Sequence, residues 1–227
     1  MSEIMIPNQG KLFYKTRDEA ANDMADPDHE IYMDLFQLAE HISLILQIPC
    51  PAVSLQGTML LPNPVDGTLS KEAAYTYHPE DIPTLKTPIV ALSMELFDQI
   101  YTTGVIAHEL RHIWQKRYNP DIAKTYARGY LDSLMDPAEI DADGFGIWYL
   151  STCPGMDLEK AAAILCPNEK THHHKTYLLR MEEAKKFQAF YESQQQKKTD
   201  TEPSTPKRPE KVSVFHKFTE LFQRFRR

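Results

Sequence analysis

The 227-residue chain reads as an α+β protein whose C-terminal half is mostly helical. Three observations carry that reading. Apolar residues recur at three- and four-residue spacing near residues 27–47 and again near 104–118, as half-buried helices require. Between these stretches lie short β-rich runs punctuated by proline and glycine. Beyond residue 136 the helical spacing returns, with clear start signals.

In chain order, Asp26-Pro27 opens a helix carrying Ile31, Leu35, Leu38, Ile42 and Ile45 on one stripe, and Pro49 and Pro51 end it. Residues 51–55, 74–78 and 88–92 then read as strands of a small mixed or antiparallel sheet. Pro83 and Pro88 place the last of these at an edge, because proline has no N–H to give a central ladder. A helix of about four turns follows. Thr102 or Thr103 is its expected N-cap, Asn119-Pro120 its stop, and Ile106, Leu110, Ile113 and Trp114 its packed side. In the next helix Asp136 suits the N-cap, Pro137 the first helical position, and Glu139 a capping-box spacing. Asp157 caps a short alanine-rich helix through Leu165. The last helix of this region spans about residues 171–194 and packs through Tyr177, Leu178, Met181 and Phe187.

Chemistry concentrates in His108-Glu109-Leu110-Arg111-His112. On a helix the two histidines stand at i and i+4, on one face, so both imidazoles can reach a single Zn²⁺. Glu109 then lies within reach of a water at that metal and can act as general base. Arg111 is expected to point sideways, to a carboxylate or to substrate. A third histidine ligand would need Gly and His where the chain has Gln115 and Tyr118, so that solution fails. The remaining one is a glutamate on the following helix, and Glu139 fits. Asp143 shares its face at i+4 and is placed to accept the second ring N–H of a ligating histidine. Asp136 and Asp141 are weaker ligand candidates, Asp141 being turned away from Glu139's face.

These two helices resemble those of gluzincin-type zincin metallopeptidases, in particular the ImmA/IrrE-like peptidases. In that family an H-E-x-x-H helix is followed by one bearing E-x-x-A-[ND]-x-F-A. Glu139, Ala142, Asp143 and Phe145 match it, and Gly146 replaces the final alanine. The resemblance covers about residues 88–150. It implies a zincin-like fold with a small sheet packed on the active-site helix, zinc held by His108, His112 and Glu139, and strand addition of an extended substrate. It also implies endopeptidase activity, often on a regulatory protein.

Composition sets the frame. Residues 1–195 form the expected zincin-like domain, 196–212 a disordered linker rich in Gln, Lys, Thr, Pro and Ser, and 213–227 a basic amphipathic helix. Residues 197–227 carry a net +5 of the chain's −7, leaving −12 on the remainder. An acidic body argues against nucleic acid as its partner and leaves a protein or peptide substrate. For the basic helix the candidate roles are an anionic membrane surface, a partner protein, or docking on its own acidic body. Cys50, Cys153 and Cys166 form no C-x-x-C pair and leave one over in any disulfide scheme. With no signal-peptide pattern in residues 1–8, this predicts a reducing cytoplasm. His172-His173-His174 point in different directions on a helix and read as a polar helix start. One of them, or Tyr118, Tyr126 or Tyr130, is a candidate oxyanion donor.

Overall fold

A computed structural model describes residues 1–6, 10–62, 68–124, 135–167 and 173–201. The architecture is mixed α+β, with small sheets and mostly helical content. The chain divides into two compact units, Met1–Ala142 and Asp143–Arg227.

The first unit opens with a hairpin, β1 (Ser2–Ile6) against β2 (Gly10–Tyr14). Thr16 and Glu19 form a reciprocal capping box at α1 (Arg17–Asn22). The predicted first helix is α2 (His29–Leu46), with Leu35, Phe36, Leu38, Ile42 and Leu46 buried. The three predicted strands are present as β3 (Ala52–Gln56), β6 (Ala74–Tyr77) and β7 (Ile89–Ser93). A small separate pair, β4 (Leu60–Pro62) and β5 (Leu69–Lys71), is inserted among them.

The sheet is mixed and its order corrects one expectation. β7 is its centre, parallel to β3 and antiparallel to β6, and all five of its residues are buried. Pro88 does not force an edge, because it precedes the first paired residue. Its carbonyl accepts the Ala52 N–H at 2.9 Å, so the ladder loses nothing. β3 and β6 are its outer strands, and β3 carries the isolated Lys15–Val53 bridge on its far side. Residues facing each other across an antiparallel ladder share a face. Tyr77 opposite Ile89 and Tyr75 opposite Ala91 therefore point to one side, where Ile4, Ile6, Leu12 and Leu85 complete an apolar cluster. Thr76 opposite Val90 points to the other side, toward the helix that carries the histidines.

That helix is α3 (Gln99–Tyr118). It begins earlier than the sequence suggested: Asp98, not a threonine, is the cap, and its carboxylate accepts the Tyr101 N–H at 3.0 Å. Starting the helix there leaves Thr102 and Thr103 buried inside it. Asn119 ends it as expected, followed by the single turn α4 (Pro120–Ala123). α5 (Pro137–Ser151) starts where predicted, and Asp136 Oδ1 accepts the Ala138 N–H at 2.8 Å. The boundary between the two units falls within α5.

In the second unit, Asp157 caps α6 (Leu158–Leu165) by accepting the Lys160 N–H. α7 (His174–Thr201) continues past the predicted end near residue 194. Tyr177, Met181 and Ala184 of α7 are buried as core, whereas Leu178, expected among them, is 52% exposed. Gly144 lets α5 and α7 approach closely: a Cβ there would lie 2.5 Å from Glu183 Cβ. Trp148 stacks on Tyr191 at 4.1 Å and Phe145 meets Phe187 edge-on. His174 opens α7 and the His173 carbonyl accepts the Tyr177 N–H, the polar helix start that was expected. His172, Tyr126, Tyr130 and the predicted C-terminal helix lie outside the described residues. Among the described residues no helix is long and apolar enough to cross a membrane.

Candidate metal centre

One helical turn of α3 separates His108 from His112, and their Nε2 atoms converge to 2.9 Å. Glu139, in the first turn of α5, faces both. Its Oε2 lies 3.3 Å from His108 Nε2 and its Oε1 3.5 Å from His112 Nε2. A tetrahedral ion with ligands at ~2.0–2.1 Å has ligand–ligand edges of about 3.3–3.4 Å. The observed separations bracket that value. These three residues can hold a metal ion, and among the described residues they are the one group of His, Cys, Asp or Glu that meets the requirement.

Charge points the same way. Burial would raise the Glu139 carboxyl, but hydrogen bonds from His108 and His112 outweigh it and hold the group well below the usual carboxylate range. Burial would likewise lower His112, yet Glu139 pulls it above its ordinary value. The Glu139 carboxylate and the His112 imidazole thus each favour the charged form of the other.

Helix α5 is held on α3 by polar contacts beside the cluster. Arg111 Nε and Nη2 donate to the two oxygens of Asp141 at 2.7 and 3.1 Å, and the Arg111 guanidinium lies 3.6 Å over the Trp114 ring. Arg111 thus points to a carboxylate, one of the two directions expected of it. Gln115 Nε2 donates to the Ala138 carbonyl and to Asp141 Oδ2, both at 2.8 Å, while its Oε1 lies 2.9 Å from His112 Nδ1. Asp143 is paired with Arg180 in the second unit.

Glu109 is 8% exposed and turned toward the sheet. Thr76 Oγ1 donates to its Oε2 at 2.7 Å. Its Oε1 has no hydrogen-bond partner among the described residues. His78, just past the end of β6, is also buried. Burial first, then the charges of Lys116 and His112, push its pKa down to about 3 against the pull of Asp81, so its imidazole is neutral. Tyr118 spends its hydroxyl on the Gln47 carbonyl at 2.8 Å.

No family model, curated protein or solved structure matches the chain in comparisons with known proteins. Its chemistry must be read from its own residues.

Of the residues expected at the site, the structure brings His108, His112 and Glu139 together, while the Glu109 side chain, next to His108 in α3, is held by Thr76. Thr76, Gln115 and the bridging role of Asp141 were missed. Gln115 had a signal, standing three residues after His112 and so on its face. Thr76 had none, because its partner is 33 residues away across the fold.

Proposed function

We propose that the chain is a zinc-dependent peptidase of the gluzincin type, similar to the ImmA/IrrE-like peptidases. The observation that carries this reading is the carboxylate of Glu109 beside the His108–His112–Glu139 cluster. A purely structural metal site has no use for a buried carboxylate there, fixed through one oxygen and open at the other.

His108, His112 and Glu139 are the zinc ligands in this reading. Zinc held by three protein groups supplies Lewis acidity and lowers the pKa of a water toward ~7. Glu109 Oε1 accepts the proton of the water that attacks the scissile carbonyl, and later gives it to the leaving amine. Thr76 donates to Oε2, which leaves Oε1 as the oxygen to take the proton. The substrate is an extended segment of an intracellular protein, paired along the outer edge of β6, the side away from β7. Three free cysteines fit a cytoplasmic setting.

Profiling of new N-termini in a cell extract tests the reading, with the zinc-loaded native chain against Glu109→Gln. The expected result is a set of cleavages made by the native chain and absent with Glu109→Gln, which keeps its zinc. Cleavages that persist with Glu109→Gln overturn the mechanism.

A further inference from the structure

The hydrogen bonds around Gln115 fix a proton position that no single contact determines. The Ala138 carbonyl can only accept, and the Asp141 carboxylate accepts from Arg111 through both oxygens. The Gln115 amide must therefore turn its NH₂ toward these two groups, each at 2.8 Å. Its oxygen is left facing His112 Nδ1 at 2.9 Å. An amide oxygen only accepts, so Nδ1 must carry the proton. The lone pair of a neutral His112 is then on Nε2, the atom that meets His108 and Glu139. Gln115 is 1% exposed and His112 6%, so the pair is shielded from bulk solvent.

We propose that Gln115, locked by Ala138 and Asp141, is the positioning residue that holds His112 in its metal-ligating tautomer. The inference rests on the reading of His108, His112 and Glu139 as a metal centre. It gives α5 two tasks at once. The helix delivers Glu139 as a ligand, and its next residues set the orientation of Gln115. Docking of α5 and readiness of His112 become one event, with Arg111 holding Asp141 in place.

Zinc affinity of the full chain, measured by chelator competition, tests this for the native protein and Gln115→Met. Gln115→Met keeps the length but loses both the acceptor for the Nδ1 proton and the NH₂ that locks it, and is expected to bind roughly 10- to 100-fold more weakly. Unchanged affinity in Gln115→Met overturns the proposal. A native chain that takes up no zinc defeats the metal-centre reading itself, a distinct result that removes this inference with it. NMR of the zinc-loaded native chain gives a second measurement that no folding defect can obscure. The His112 Nδ1 proton is expected to be slow to exchange and close to the Gln115 side chain. A rapidly exchanging proton contradicts the assignment.

Discussion

Glu109 depends on one hydroxyl. The Thr76 hydrogen bond to Oε2 is 2.7 Å long and both residues are buried, so its loss leaves a carboxylate oxygen without a donor. Thr76→Val is expected to cost about 1–3 kcal/mol in urea denaturation of the metal-free protein. Thr76→Ser, which keeps the hydroxyl, is expected to stay close to native. A Val variant as stable as Ser would show that the contact contributes nothing. At this scale the sequence was informative wherever partners lie within one helical turn. His108, Glu109 and His112 declare themselves by spacing, and Asp136 and Asp157 by the geometry of a first turn. Thr76 is silent because a threonine in a strand looks like any other threonine until the strand is docked.

Among the elements, two junctions do most to shape the units. Lys15, at the end of β2, pairs its backbone with Val53 of β3 and buries its ammonium between Asp23 and Asp26, over the Tyr32 ring. Lys15→Met removes the cation from this buried group and is expected to cost on the order of 3 kcal/mol, the low end for breaking a buried pair. The moderation comes from Asp23, which is 44% exposed and can rehydrate. The Lys15 hydrogen bond, foremost, holds the Asp26 carboxyl below its ordinary value. Its contribution is therefore complete above the unfolded value of ~3.9 and fades as pH falls through the depressed one. Burial works against Lys15, yet Asp23 and Asp26 raise it above its ordinary value. That part is complete below ~10.4 and is lost as pH rises through the raised value. The difference between native and Lys15→Met should thus be constant from about pH 5 to 9 and shrink below about pH 4. A difference that does not shrink on acidification below about pH 4 would contradict the pairing. In the second unit, Gly144→Ala would set a Cβ 2.5 Å from Glu183 Cβ, an atom anchored to the α7 backbone. The helices must part, at a cost of about 1–3 kcal/mol, and a neutral effect would mean that they do not pack this closely. The elements themselves were legible from periodicity and punctuation. The order of the sheet was not, because a proline just before a strand and a proline within it look alike in sequence. Only pairing distinguishes the central β7 from the edge β6.

For the whole molecule, a metal ion that binds only the folded chain stabilises it by mass action. Zinc at a thousandfold excess over its dissociation constant is worth about 4 kcal/mol, so chelation should lower the melting temperature and added zinc restore it. A melting temperature indifferent to zinc would place the ion outside the fold. The assignment rests on His108, His112 and Glu139 brought together, with Glu109 next to His108 in α3 and held by Thr76. The sequence predicted the α+β class and the helical second half; the bridges that hold α5 on α3, through Arg111, Gln115 and Asp141, emerged only from the folded chain. Calorimetric titration of zinc into the chelator-stripped full chain, native against Glu139→Ala, bears most directly on the centre. One equivalent is expected to bind the native chain, with binding in Glu139→Ala weaker by roughly 100-fold or more. No binding by the native chain, or equal binding by both, would contradict the site.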